Sequence, residues 1–525
     1  MKFSTILRAV ASSWLAVLAN AIVGFLLTPY VLHHLGDVEF GLYTLVTTLT
    51  GYYGLFDLGV RSAILRFVSR ALALNDHGEI NRVICSAFYF YWGICLLAIL
   101  ATLLVMPWLP QIFGVSGETA RVFQYLFLLA GIVQGLTFPL NVFAGSLDAA
   151  GRFDQVYMVQ TASLLLRVIV VIAAIRAGGH LFAVGGVVLL SIFLSYVLQI
   201  PLALRQIRGV SLNPKWISKS SLREMFRYAS VTIGIGVGEK LKANVFPVLV
   251  GLTMNPIAVT LFSLPTRLLR FPIDGVSTMT EIVNPTSSHL EAREDYTTLR
   301  RLLLLSVQGA FLLLAPMAVF LFIYGRDLLR LWVGAAYLSA YPLLVLLTLG
   351  MGAGATQACV QAMLFGIGRH KGLIAFRLGE AAAIIAIGGI ALEFSGLEAF
   401  AVVISATLLL TSLVLVPRLV CQIVGMPLRT YLSEGCLKPC LATIPFIMTL
   451  YVLHSWLTVK SWFGLLGILA AGGLVYSATL SWVAFRSGGE NGKQWLSLGV
   501  LAILAEKVRP ILSKARLFTQ TEATK

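Results

Sequence analysis

Arg267, Arg270 and Asp274 stand at i, i+3 and i+7 of one apolar stretch, so they share one stripe of a helix, and Glu281 extends that stripe. The preceding apolar stretch carries Glu239 and Lys242 at i, i+3, with Lys240 about a quarter turn away. A charge at the centre of a bilayer costs about 2.5–3.5 kcal/mol on insertion scales, so such side chains are expected to face a wet cavity and not lipid. The cations Lys240, Lys242, Arg267 and Arg270 outnumber Glu239 and Asp274, which tunes the cavity toward an anion. The planar fork of donors on arginine suits phosphate in particular.

The two stretches carry other signs of a cavity wall. Pro247, Pro265 and Pro272 lie within them, and Gly234, Gly236 and Gly238 precede the charges. Proline at membrane depth frees backbone carbonyls, which is tolerated beside a cavity. The glycine string reads as close helix packing, since nothing makes it a strand-to-helix phosphate turn. Arg167 sits deep in another apolar stretch without a neighbouring acid, so it pairs across helices or enters the cavity. Asp57 and Arg61, at i, i+4 near the end of a stretch, fit a local salt bridge or a snorkelling arginine as well as a ligand contact. Arg377 and Glu380 read as similarly shallow. The adjacent His33 and His34 fit a loop cap better than a metal site.

No Walker A, HExxH or GxSxG pattern is present, so no enzyme constellation is supported and no cofactor is expected. Without a P-loop, energy must come from an ion gradient, the membrane potential or the gradient of a substrate. A coupling ion, H+ or Na+, is compatible with the acidic residues.

The elements that must position these charges are set by hydropathy. Of 525 residues, 58% are hydrophobic and 12% charged, and the mean hydropathy is +0.88. That composition belongs to a polytopic membrane protein. Windows of about 20 apolar residues place fourteen spans near 12–32, 40–60, 84–107, 122–144, 156–175, 181–204, 228–250, 256–284, 302–325, 336–365, 372–392, 396–417, 439–457 and 462–485. The runs are continuously apolar, which excludes a β-barrel, and the first reads as an uncleaved span. The fold class is therefore all-α and integral to the membrane.

Lys and Arg total 39 against 23 Asp and Glu, a net charge of +16. With the N-terminus in the cytoplasm, only Arg121, Arg176, Arg326, Arg330 and Lys460 fall on the outer side, so the charge is a topology signal. Membrane lipids, anionic ones above all, are its natural partner, and nucleic acid is not expected. An even number of spans returns the C-terminus to the cytoplasm. Short outer loops leave no room for an extracytoplasmic catalytic domain. The six cysteines lie in spans or on the cytoplasmic side, with no disulfide framework or metal spacing expected.

Self-comparison suggests two halves. Arg82 aligns with Arg301, Gly151-Arg152 with Gly368-Arg369 and Ala183-Val184 with Ala401-Val402 at a nearly constant offset. Six spans per half give two lobes of the same orientation with a cavity between them. The expected organisation is a first lobe over 1–205, a cytoplasmic linker and hinge over 206–227, a second lobe over 228–418, an appended pair of spans over 419–486, and a tail over 487–525 with an interfacial amphipathic helix.

The opening text then becomes informative. Asn20, Pro29, LHHLGDVEFGLYTL and YYGLFDLGVRSAILRFVSRAL resemble the start of bacterial polysaccharide exporters of the multidrug/oligosaccharidyl-lipid/polysaccharide (MOP) superfamily, the group that contains O-antigen flippases. The resemblance implies Gly36, Glu39-Phe40-Gly41 and Asp57-Leu58-Gly59 as shared positions, and it extends to Asn284-Pro285-Thr286-Ser287-Ser288. It further implies a MATE-like pair of lobes and a bacterial inner-membrane flippase. That flippase would move an undecaprenyl-diphosphate-linked oligosaccharide by alternating access, beside glycan polymerase machinery. In the lipid II flippases of the superfamily, two extra spans form a groove for the lipid tail, which suggests a role for spans 13 and 14. The cavity residues expected to meet the substrate are Arg267, Arg270, Lys242, Glu239, Lys240, Asp274, Arg167, Asp57 and Arg61. A cation-coupled drug exporter or a lipid II flippase of the same superfamily are the alternatives. A membrane-embedded glycosyltransferase or polymerase would need an acidic catalytic residue beside a substantial outer loop, and none is visible.

Overall fold

The computed structural model describes residues 3–57, 59–207, 209–369 and 371–486, without the side chains of 3–11, 13, 14, 228–243, 278, 281, 371 and 484–486. The tail expected to form an amphipathic helix lies outside these residues. Helices account for nearly all of the described chain, and there is no strand among the described residues. In lipid, a helix is the form in which an open apolar segment satisfies its own backbone.

Among the described residues, ten helical stretches are long and apolar enough to cross a membrane. The difference from fourteen has a structural cause. Spans 1 and 2 run together in Leu15–Asp57, and spans 11 and 12 in Gly372–Val424. In each case a single glycine makes the turn: Gly36 at φ 72°, ψ 176°, and Gly396 at φ 76°, ψ −161°. Only glycine takes such dihedrals at low cost. Spans 7 and 8 are the charge-bearing helices Lys219–Thr253 and Pro256–Ala292. Span 8, with 37 residues, is about 55 Å long at 1.5 Å per residue, well beyond a hydrocarbon core of about 30 Å.

The chain divides into two compact units. The first comprises residues 1–268 and 377–403, the second 269–376 and the remainder from 404. Spans 1 to 7, the beginning of span 8 and much of span 11 thus group in the first unit. Its core gathers Val60, Ile64 and Val68 of the helix Val60–Ala73 with Ile80, Ile84 and Tyr91 of span 3 and Phe138 of span 4. Helices approach closely there: a Cβ on Gly131 of span 4 (Gly117–Ala149) would lie 2.1 Å from the Thr102 hydroxyl of span 3 (His77–Val105).

The second unit is built around span 9 (Tyr296–Trp332), whose Leu299, Leu303 and Val307 pack with Met363, Leu364, Val420 and Tyr431. Spans 13 and 14 belong to this unit. Tyr324 of span 9 donates to the Leu450 carbonyl at 3.1 Å, and Tyr476 donates to the Leu312 carbonyl at 2.9 Å. Between spans 12 and 13 the chain winds into a π-helix over Tyr431–Leu437. Gln308 donates to the Glu434 carbonyl there at 2.9 Å, which satisfies a group that the wider winding leaves open.

The segment after span 6 does not hang free. Asn81, Cys85 and Tyr89 form one stripe of span 3 at i, i+4 and i+8. Asn81 donates to the Gly209 carbonyl at 3.1 Å and accepts from the Ser211 amide at 2.8 Å. Cys85 donates to the Ser211 carbonyl, and Tyr89 to that of Leu212 at 3.0 Å. Ser86 accepts from the Ser218 amide at 2.9 Å. The stretch read from the sequence as a hinge is thus a strap fastened along span 3. A parallel arrangement recurs in the second unit, where Arg300 donates to the Val424 carbonyl at 2.8 Å and Gln308 to that of Glu434. Arg300 and Gln308 have the spacing of Asn81 and Tyr89, at the offset that aligns Arg82 with Arg301.

Candidate functional site

The tripeptide Glu39-Phe40-Gly41, at the start of span 2, organises one end of the first unit. Glu39 accepts from the Leu181 amide at 2.9 Å and so caps span 6 (Leu181–Gln206), with His180 3.8 Å from its other oxygen. A carboxylate there satisfies an open amide and complements the helix dipole. Gly41 admits the beginning of span 8: a Cβ would lie 2.0 Å from the Pro256 carbonyl oxygen. Thr260, one turn on, donates to the Asp37 carbonyl at 2.6 Å. These contacts fix span 8 against span 2.

The fixed register brings Arg267 over Phe40, with the guanidinium 4.8 Å from the ring centroid. Its Nη2 donates to the Thr44 hydroxyl at 3.3 Å. A cation–π contact contributes ~0.5–2 kcal/mol, which offsets part of the cost of a membrane-embedded cation. Arg167, half-buried in span 5 (Phe153–Arg176), donates from Nε to Ser191 of span 6 at 2.8 Å. Tyr43 is close enough to Arg167 to interact with its charge. Phe40, Tyr43 and Thr44, on one face of span 2, therefore adjoin two arginines from two other spans.

Arg270 and Asp274 belong to the second unit, since the division falls between Leu268 and Leu269. They form an i, i+4 pair at 3.6 Å with side chains 78% and 50% exposed. An ion pair this open holds its partners weakly, so Arg270 remains available. The side chains of Glu239, Lys240, Lys242 and Glu281 lie outside the described residues, although all four are in helices.

Asp57 and Arg61 do not pair with each other. Arg61 makes its ion pair with Asp148 of span 4 at 2.8 Å, and Asp57 accepts a hydrogen bond from Tyr91 of span 3. This group lies about 20 Å along span 2 from Thr44, so it is not gathered with Arg267. Asp148 escaped the sequence reading because it is 87 residues from its partner. Arg377 and Glu380 form a buried pair at 2.7 Å with side chains 10% and 2% exposed. Their i, i+3 spacing was the available signal.

Residues 35–342 match the family model described as polysaccharide biosynthesis protein. Among solved structures, the fold is similar to that of a lipid II flippase, MurJ, in an inward closed conformation. The TM-score is 0.66 at 15% identity, over 92% of this chain and 99% of that one. It is also similar to an inward-facing multidrug resistance MATE family transporter of the MOP superfamily, with a TM-score of 0.65 at 13% identity over 80% and 99% of the two chains. A MOP superfamily transporter from Pyrococcus furiosus, described as having a binding pocket of reversed polarity, aligns with a TM-score of 0.54 at 13% identity over 80% and 94%. No curated protein matches the sequence.

Proposed function

The chain belongs to the polysaccharide biosynthesis protein family, and on that premise we propose that it is a flippase for a lipid-linked oligosaccharide in the bacterial inner membrane. The substrate class is an undecaprenyl-diphosphate-linked oligosaccharide used for surface polysaccharide such as O-antigen. It passes from the cytoplasmic to the periplasmic side by alternating access, with both termini in the cytoplasm. The observation that carries this reading is Arg267, a guanidinium at membrane depth held over Phe40 and Thr44 by a register that Gly41 and Pro256 set. In this reading Arg270 and Lys242 join it in meeting the diphosphate. Glu239 either titrates with a coupling proton or holds Lys242 in place, and Na+ is the other coupling ion to test. Glycan polymerase machinery is the expected neighbour, and the chain itself catalyses no reaction.

Replacing Arg267 and Arg270 together by Ala is expected to abolish surface glycan at unchanged protein level. Unchanged glycan would remove these residues from the site. Lipid II is a second reading, supported by the likeness of fold to the lipid II flippase over 92% of this chain. Restoration of growth after depletion of a lipid II flippase would select it. A drug exporter fits less well, because the arginines make a cavity for anions. The Pyrococcus furiosus transporter, whose reversed pocket polarity is described as suggesting a different function, illustrates the weight of that property.

A further inference from the structure

We propose that the strap over 209–218 and the first turns of span 7 form a binding surface for anionic phospholipid headgroups. The surface has a rigid base. Five hydrogen bonds from Asn81, Cys85, Ser86 and Tyr89 hold the strap on span 3. Asn213 accepts from the Lys215 amide at 3.0 Å and starts the tight turn Pro214–Trp216, and Ser218 caps span 7 by accepting from the Ser221 amide. Ser221 and Met225 are buried, and Phe226 meets Phe90 edge-on with centroids 4.8 Å apart.

The opposite face is cationic. Lys219, Arg223 and Arg227 are exposed at i, i+4 and i+8, and Lys215 is exposed on the strap, with Glu224 the exposed acid among them. Apolar side chains interleave with these cations: Ile217 is 44% exposed and Trp216 is half-buried, its ring 3.9 Å from where a Cβ on Gly78 would lie. The helix that carries the stripe continues unbroken to Thr253, so this face stands where span 7 meets the bilayer surface. Lys219 precedes Arg227 by about 12 Å, close to the Debye length over which an anionic surface acts. Cations mixed with an indole and an aliphatic side chain at that depth match the headgroup and acyl boundary. An acidic protein or a nucleic acid would leave Trp216 and Ile217 without a counterpart. The surface rests on the orientation proposed above, with the Lys/Arg-rich loops in the cytoplasm, and does not depend on the glycan.

The test uses the full chain in a neutral detergent, with native mass spectrometry counting bound short-chain phosphatidylglycerol against phosphatidylcholine. Preferential binding of phosphatidylglycerol is expected, weakened about fivefold for each cation removed in K215Q, K219Q and R223Q. Trp216→Ala, which leaves the charge unchanged, is expected to weaken it as well, and K219R to preserve it. R418Q/R429Q, which removes two exposed cations of the second unit, should bind as the unaltered chain does. Equal binding of phosphatidylcholine, equal competition by inorganic phosphate or an oligonucleotide, or full phosphatidylglycerol binding by a folded triple glutamine variant would each overturn the proposal. None of these results bears on surface glycan, and a failure of the Arg267 and Arg270 test would leave this surface intact.

Discussion

At the scale of single residues, the arginine at 267 can be separated from a mere positive charge. Its guanidinium lies over the Phe40 ring and reaches Thr44, an arrangement that a lysine ammonium cannot reproduce because it lacks the planar fork. Arg267→Lys keeps the charge and loses one charge-assisted bond of ~1.5 kcal/mol, so export of surface glycan should fall about tenfold at unchanged protein level. Phe40→Leu removes the ring and keeps an apolar side chain of similar reach, and it should lower export by a smaller factor. Equal export in Arg267→Lys and the unaltered chain would show that charge alone suffices.

At the scale of elements, the strap makes a specific demand on stability. Asn81→Ala removes two bonds to the backbone of Gly209 and Ser211 and Tyr89→Phe one to that of Leu212, each worth ~1 kcal/mol, and amide hydrogen exchange over 209–218 should quicken in both variants. Unchanged exchange would mean that span 3 does not restrain the strap. The same contrast explains what the sequence reveals. Span positions follow from apolar runs because lipid leaves the backbone little alternative to a helix, and even the pairs merged at Gly36 and Gly396 fall where two spans were expected. The Arg267, Arg270 and Asp274 stripe was visible in the same way, from helical period alone. Partners across helices were not visible. Arg61 offers Asp57 as its local acid, yet the fold supplies Asp148 from span 4 and gives Asp57 to Tyr91. Glu39-Phe40-Gly41 could be read as shared positions. Its three tasks, capping span 6, supporting Arg267 and admitting Pro256, emerge only once spans 2, 6 and 8 are assembled. The burial of Arg377 and Glu380 depends on neighbours that a linear window does not contain.

At the scale of the whole molecule, substrate binding must register as stability of the full chain, whichever residues contact the ligand. A ligand that binds the folded protein at one hundred times its Kd stabilises it by ~2.7 kcal/mol, which raises the apparent unfolding temperature by a few degrees. If a diphosphate lipid is the substrate, undecaprenyl diphosphate should produce this shift in detergent, and Arg267→Ala with Arg270→Ala should remove it while leaving the unliganded unfolding temperature nearly unchanged. The second condition follows from the structure: Arg270 is largely exposed and its pair with Asp274 is open, so its loss costs the fold little. A cationic drug should give no shift, because it would be repelled by the guanidinium groups of Arg267 and Arg270. A shift with the drug and none with the diphosphate lipid would move the protein to the exporter reading, even though the family and the fold stay the same. Equal shifts with undecaprenyl diphosphate and lipid II would show that the site reads the shared diphosphate and not the sugar. Glycan selection would then have to reside in residues other than the arginines.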